Sequence, residues 1–198
     1  MKFASKAIVG AALALMAATP AMAGWKLVPH GSAIKVAKGT LCVTPADDWN
    51  RWTGRPIEKG EEWTLDGLAL NQLYFVSGLA PGETLFKDAA RKDKPLPAMG
   101  AAMQLTDIPD FVESSIRVAL NTSAFQITNV QPATLGGHPA VKFVFEYADA
   151  ASSLRHKGIA VGTVVNKQLY LINFTAPALF YFDHDAPKVE AIIATATL

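Results

Sequence analysis

The stretch PAVKFVFEYADAASSLRHKGIAVGTVVNKQLYLINFTA, residues Pro139–Ala176, contains three successive β-strand patterns. Val141–Tyr147 alternates apolar residues with more polar ones, as a strand with one buried face does. Lys157–Val165 alternates less regularly, and Leu169–Thr175 is largely apolar on both faces, so both of its faces should be covered. Asn166-Lys167 suits a tight hairpin, because Asn tolerates positive φ. The stretch therefore predicts an antiparallel meander.

Two further segments carry helical patterns. Pro109–Leu120 begins with a proline at a position that helices accept and places its apolar residues on one stripe. That stripe consists of Phe111, Val112, Ile116, Ala119 and Leu120. Asp185 is predicted to cap a second helix, Ala186–Ala194, whose apolar face includes Val189 and Ile192. Both helices are expected to pack on the sheet.

The first half of the mature chain supplies more strands. Glu61–Phe75 is predicted to be a hairpin around the turn at Asp66-Gly67, and Ile34–Val36 an opening strand. The stretch TPADDWNRW, Thr44–Trp52, favours a turn or a short helical start, and Ser77-Gly78 a turn. The prediction for the whole is an α+β fold, a largely antiparallel sheet of about seven strands covered by helices.

The N-terminus has the organisation of a secretory signal peptide, Met1–Ala23. A positively charged n-region with Lys2 and Lys6 precedes the apolar run Ala7–Ala18. Ala21-Met22-Ala23 then forms a small-x-small cleavage site before Gly24. The apolar run is shorter than the ~20 residues that a membrane span needs, and no later segment is apolar enough to span. We expect cleavage after Ala23, a periplasmic or secreted location, and one domain over residues 24–198.

Charge and cysteine content exclude several classes. The chain of 198 residues has 18 Lys and Arg against 17 Asp and Glu, and loss of the two leader lysines leaves a net charge of −1. Nucleic-acid binding needs clustered cations, so no nucleic-acid partner is expected. A single cysteine, Cys42, rules out an internal disulfide. Its neighbours Leu41 and Val43 favour a buried residue in a strand. An intermolecular disulfide is the alternative.

The sequence carries no catalytic or metal signature. It has no GxSxG elbow, no Gly-rich phosphate loop, and no HxH or HExxH pair among its four histidines. The densest group of ligand-type residues is Asp183-His184-Asp185, but consecutive side chains do not point the same way. We therefore expect no cofactor and no metal. Whether the protein is an enzyme stays open, and we favour a protein without enzymatic activity.

The segments TPADDWNRW, EEWTLDGLALNQLYF and LYLINFTAPALFYFD resemble a family of uncharacterised proteobacterial secreted proteins. The order of elements, a strand group, a helix, a meander and a final helix, resembles the PsbP-like superfamily, which includes the photosystem II extrinsic protein. This resemblance implies an α/β/α sandwich and a role as a binding or assembly accessory rather than an enzyme. It supplies no site residue.

Two functions are compatible with these patterns. The first is a non-enzymatic exported binding or assembly accessory with a protein partner. The second is a carrier of a small molecule or lipid, or a hydrolase, with an apolar pocket between sheet and helix. The candidate surface for a ligand or partner combines aromatic residues with the acidic and histidine cluster: Trp49, Trp52, Trp63, Tyr181, Phe182, Asp183 and His184. Aromatic residues that only fill the core are the competing interpretation.

Overall fold

The computed structural model describes residues 24–87, 94–148 and 154–198. The predicted signal peptide lies outside these described residues. In chain order the strands are β1 (Trp25–Val28), β2 (Ile34–Lys35), β3 (Cys42–Val43), β4 (Trp49–Trp52), β5 (Gly60–Thr64), β6 (Gln72–Leu79), β7 (Phe125–Leu135), β8 (His138–Ala148), β9 (Arg155–Val165) and β10 (Gln168–Pro177). A 3-10 turn, Leu105–Asp107, precedes helix α1 (Ile108–Leu120), and helix α2 (Tyr181–Ala194) follows β10.

The strands of the described part form a sheet of eight and a separate pair, β2 with β3. The large sheet has the order β1-β4-β5-β6-β10-β9-β8-β7, and all its neighbouring strands run antiparallel. The predicted meander is confirmed as β8, β9 and β10. Asn166 and Lys167 join β9 to β10 with φ of 50° and 62°, as a tight hairpin of the I′ type requires. The pairing of β10 with β6 joins the two halves of the chain.

The two helices cover opposite faces of the large sheet. Helix α1 packs Phe111, Val112 and Ile116 against one face, called here the α1 face. Helix α2 packs Val189 and Ile192 against the other, the α2 face, which the small sheet also helps to cover. The predicted α+β class, an antiparallel sheet covered by helices, is confirmed.

The prediction of a turn or helical start over Thr44–Trp52 is wrong at its C-terminal end. Trp49–Trp52 is strand β4, and it pairs with β1, a strand that the sequence pattern did not indicate. Val28 lies opposite Trp49 in this register, and both side chains are buried. Burial of the tryptophan between neighbouring strands outweighs the local turn preference of the residues before it.

The predicted turn at Ser77-Gly78 is also wrong, because β6 continues through it to Leu79. Gly78 has a φ of 87°, and the register with β10 shifts opposite this point, between Leu169 and Tyr170. Such a shift is a β-bulge, for which glycine supplies the positive φ without steric cost.

The second helix starts earlier than predicted. It begins at Tyr181 rather than Ala186, so Asp185 is not its N-cap but a fully buried residue inside it. Pro187 explains the difference, since a proline usually marks the first turn of a helix. Here the proline removes only the hydrogen bond to the carbonyl of Asp183, an exposed residue.

Cys42 lies in strand β3, as predicted, and is half-buried rather than fully buried. Its backbone exchanges two hydrogen bonds of 2.9 Å with Thr197 near the C-terminus. No helix within the described ranges is long and apolar enough to cross a membrane.

Candidate functional site

A pocket lies between the end of α1 and the α1 face of the sheet, and we call it the α1 pocket. Its volume is about 210 Å³, below the ~300–1,000 Å³ of sites for drug-sized ligands. Its walls combine aromatic and aliphatic side chains with buried polar ones: Glu62, Gln72, Tyr74, Phe86, Ile116, Ala119, Leu120, Tyr147, Asn173 and Thr175. The size and lining suit a small molecule.

The floor of the α1 pocket is built by the register of three neighbouring strands. Glu62 on β5 lies opposite Tyr74 on β6, and Tyr74 lies opposite Asn173 on β10. Two residues further along the same pair of strands, Gln72 on β6 lies opposite Thr175 on β10. Residues in register on one face have adjacent side chains. Sequence positions more than a hundred residues apart thus form one polar floor.

Glu62 is a buried carboxyl that has few hydrogen-bond partners among the described residues. Its one hydrogen bond to a described residue is from Gln72, whose Nε2 donates to Oε1 at 2.8 Å. No Lys, Arg or His of the described ranges forms an ion pair with it. Burial raises the pKa of Glu62, and the hydrogen bond from Gln72 only partly offsets this effect. The site therefore holds a carboxyl without a counter-charge from any described residue.

Asn173 adds an unsatisfied acceptor to the same floor. The residue is 5% exposed, and its Oδ1 is buried without a hydrogen-bond partner in the described part of the chain. A buried polar atom left unpaired costs ~1–3 kcal/mol. A cost of this size at a cavity wall is expected where a ligand or a water supplies the missing donor.

Aromatic rings form part of the wall. Tyr74 and Phe86 are stacked with ring centroids 5.7 Å apart. Burial, and secondarily the negative charge of Glu62, raises the pKa of Tyr74. The phenol therefore keeps its proton, which its oxygen donates to the carbonyl of Leu85 at 2.6 Å. Tyr147 contributes a further ring, which stacks on the ring of His156 with centroids 5.0 Å apart.

The pocket exists because the apolar stripe of α1 is buried only in its first part. Phe111, Val112 and Ile116 are buried as predicted, whereas Ala119 and Leu120 are exposed. These last two residues were predicted to contact the sheet, and instead they line the opening above its polar floor. The sheet below this end of the helix carries the polar side chains of the floor rather than aliphatic ones.

A larger groove of about 560 Å³ lies between the 3-10 turn and strands β7 and β8. Its lining is mainly apolar, and its polar side chains, Thr106, Asp110 and Gln131, are all exposed. Because no buried polar group points to a particular ligand there, the α1 pocket is the stronger candidate site.

Three of the seven residues of the predicted surface are in the core. Trp49 and Trp63 are fully buried, with ring centroids 6.4 Å apart, and Phe182 is buried on the α2 face. Trp63 Nε1 donates to Glu61 at 2.8 Å, as expected for a tryptophan that fills the core. These three side chains are therefore not available to a surface partner in this structure.

The other four residues are at least partly accessible but do not form one site. Trp52 is 36% exposed and lies at the β1–β4 end of the sheet. Tyr181, Asp183 and His184 lie in the first turn of α2. Their proposed contact with a ligand or partner stays a prediction. Within the described ranges no three His, Cys, Asp or Glu side chains are grouped so as to hold a metal ion.

The residues of the α1 pocket were missed by the sequence reasoning, although two signals were available. Asn173 and Thr175 are polar positions in the strand that is otherwise the most apolar of the chain. Glu61 and Glu62 are adjacent acids inside a predicted strand, so one of them had to face the α1 side. Only the register of β5, β6 and β10 shows that these positions meet.

Comparison with known proteins adds little to this geometry. No family model matches the chain, and no curated protein does. Among solved structures, it is similar to LpqN of Mycobacterium tuberculosis, involved in cell envelope biogenesis, at 12% identity and a TM-score of 0.38. The match covers 87% of this chain and 89% of that one.

Two further structures are similar at the same level. One is the cyanobacterial PsbP, CyanoP, of Synechocystis sp. PCC 6803, at 13% identity and a TM-score of 0.40, covering 89% of this chain and 82% of that one. The other is the protein of unknown function PA94 of Pseudomonas aeruginosa, at 13% identity and a TM-score of 0.40. That match covers 81% of this chain and 92% of the other. Similarity this low assigns the chain neither a family nor an activity.

Proposed function

We propose that this chain is an exported, non-enzymatic accessory protein that acts by binding a small ligand in the α1 pocket. The observation that carries the proposal is the buried Oδ1 of Asn173, a residue that lines the pocket and whose Oδ1 has no donor among the described residues. The signal-peptide pattern of Met1–Ala23 supports export to the periplasm or beyond, with Gly24 as the first mature residue.

The lining favours binding over hydrolysis. The described pocket residues include a carboxyl, Glu62, and a hydroxyl, Thr175, but no histidine, cysteine or lysine. A hydrolase site usually pairs its nucleophile with a base that is itself oriented by a third group. The resemblance of the sequence to the PsbP-like superfamily, whose members are mostly accessory proteins, also favours binding.

Native mass spectrometry tests this proposal. The full chain is expressed with its leader, purified from the exported fraction, and compared with Ala119→Trp, which fills the pocket from the solvent-exposed end of α1. Ser114→Trp, at an exposed position of the same helix that does not line the pocket, is the matched control. We expect extra mass on the folded wild type and on the control, lost on denaturation, and none on Ala119→Trp.

The same spectra contain the results that would overturn the proposal. A bare wild-type protein, or extra mass that survives in Ala119→Trp, removes the α1 pocket as the binding site. A denatured mass that still includes residues 1–23 contradicts cleavage after Ala23. It does not affect the conclusion on ligand binding, which depends on the folded mass alone.

A second candidate function, docking of a protein partner, is favoured by the turn between β10 and α2. Leu179 is 92% exposed and Phe180 61% exposed, directly beside Tyr181. Large apolar side chains so exposed and adjacent are typical of interaction sites. Crosslinking in the exported fraction tests it. A specific crosslink should disappear when Leu179 and Phe180 are both changed to Ser, and persist in Leu27→Ser, a control at another exposed leucine.

A further inference from the structure

The polar groups of the α1 pocket form an acceptor-rich, anionic site. Glu62 contributes a carboxyl and Asn173 contributes its unpaired Oδ1, while Thr175 adds a buried hydroxyl. The pocket lining as described includes no Lys, Arg or His to balance the carboxylate. A buried carboxylate is favourable only when a positive charge or several donors accompany it. No described residue that lines the pocket supplies that charge.

The walls of the pocket suit the same kind of ligand. The rings of Tyr74 and Phe86 and the ring of Tyr147 border the cavity beside the polar floor. Aromatic faces attract organic cations, and aromatic cages combined with a carboxylate are used to recognise ammonium groups. An anionic ligand would meet the carboxyl with like charge and find no cation among the described lining residues.

We infer that the ligand of the α1 pocket is a small organic ammonium ion, held by Glu62 and by the aromatic walls, with a further donor group directed at Asn173. This inference rests on the proposed function, since it requires that the pocket binds a small molecule. The charge of the ammonium takes the place of the missing counter-ion of Glu62. The additional N–H or O–H donor satisfies the acceptor that the fold leaves unpaired.

Three probes that share one ring system and differ in charge test the inference: benzylammonium, benzyl alcohol and benzoate. Each is titrated into the mature protein at neutral pH by calorimetry, and the occupied site is located with Ala119→Trp. We expect benzylammonium to bind more tightly than the other two by on the order of tenfold or more, because it alone adds a positive charge that pairs with Glu62 and makes a cation–π contact.

Charge-matched variants assign this preference to one side chain. Glu62→Gln should weaken benzylammonium binding by on the order of tenfold and benzyl alcohol binding by much less, so that the preference for benzylammonium disappears. Glu58→Gln removes the same charge at an exposed residue outside the pocket and should leave all three affinities unchanged. An equal effect of both variants would mean general surface electrostatics and would overturn the inference.

The inference and the proposed function fail in different ways. If benzyl alcohol or benzoate binds at least as tightly as benzylammonium, and Ala119→Trp blocks it, the pocket binds ligands but the ammonium class is wrong. An uncharged or anionic molecule identified in the native mass spectra has the same meaning. If no probe binds and the exported protein carries no extra mass, the proposed function falls together with the inference.

Discussion

Glu61 and Glu62 are adjacent in β5, both are buried, and they face opposite sides of the sheet. On the α2 face, Glu61 accepts hydrogen bonds from Trp63 Nε1 at 2.8 Å and from the backbone N–H of Ala37 at 3.1 Å. Arg51 Nη1 lies 3.4 Å from the same carboxylate. On the α1 face, Glu62 has the single hydrogen bond from Gln72.

The same contrast holds for other buried polar residues on the two faces of the sheet. Asp185, on the α2 side, receives hydrogen bonds from Asn71 at 2.9 Å and from Lys188 at 2.9 Å. Among the described residues, Oδ1 of Asn173 on the α1 side has no hydrogen-bond partner, and Nε1 of Trp49 is the corresponding exception on the α2 side. A face whose carboxylates are paired by the protein itself is built for stability. Around the cavity of the α1 face, the described residues give the carboxyl of Glu62 one hydrogen bond and the amide oxygen of Asn173 none, which is the arrangement expected of the binding site proposed above.

The largest effect is expected where the α2 face is most closely packed, at Trp63. Its ring is fully buried and meets Phe75 edge-on, with centroids 4.7 Å apart. Trp63→Ala should lower the free energy of unfolding by about 3–5 kcal/mol, through lost contacts and a cavity. Urea denaturation followed by circular dichroism measures the change. Trp52→Ala, at a 36% exposed tryptophan, should cost less than half as much, and equal losses would contradict the assignment of Trp63 to the core.

A smaller loss is expected for the paired carboxylate. Glu61→Gln places amide hydrogens among the N–H groups of Ala37, Trp63 and Arg51, so at least one buried donor loses its acceptor. The free energy of unfolding should fall by about 1–3 kcal/mol. Glu58→Gln removes the same charge at an exposed position and should change it by less than ~0.5 kcal/mol. Denaturation of the two variants side by side decides the point.

Glu62→Gln should raise the free energy of unfolding, where Glu61→Gln lowers it, and the size of the increase should depend on pH. Because burial raises the pKa of Glu62, the folded protein binds a proton there more readily than the unfolded chain. Stability from this group is complete below the ordinary glutamate pKa of ~4.3 and is lost as the pH rises through the raised pKa. The variant should therefore gain stability relative to wild type between pH 4 and pH 8.

The measurement is the free energy of unfolding of both proteins, without ligand, at several pH values across that range. A difference between them that stays constant with pH would show that Glu62 titrates normally. A variant that loses stability as pH rises would show that the carboxylate has a partner, and the contrast between the two faces would then disappear.

The sequence predicts the α1–meander–α2 half of the fold well, and the reason is local. Alternation in β8 to β10, the Asn166-Lys167 hairpin and the stripe of α1 are patterns within short segments, and each has one structural interpretation. The first half was predicted less well, because β1 and β4 are short and each is a strand only through pairing with another. The start of α2 was misplaced because Pro187 lies in a helix interior, where a proline is rarely found.

The site could not be predicted because no single segment contains it. The α1 pocket takes its floor from β5, β6 and β10, and its upper wall from the end of α1. Sequence reasoning gave most weight to tryptophans, which are conspicuous in composition. Two of those, Trp49 and Trp63, proved to be core residues. The informative residues were ordinary ones, such as Asn173, in an unusual place for their polarity.

Asn173 gives the smallest expected effect and the most direct test of the contrast. Asn71, on the α2 side, accepts from Thr64 Oγ1 at 2.6 Å and from the backbone N–H of Leu65 at 2.8 Å, and it donates to Asp185. Asn71→Leu leaves the backbone N–H groups of Leu65 and Asp66 without their acceptor and removes one donor of the buried Asp185, and it should cost about 1–3 kcal/mol. Asn173→Leu removes an amide oxygen that no described residue pairs with, and should change the free energy of unfolding by less than ~1 kcal/mol, in either direction. Both are measured by urea denaturation of the ligand-free protein. If the two asparagines proved equally costly to replace, the oxygen of Asn173 would have a structural partner, and the α1 face would lose the feature that distinguishes it from the α2 face.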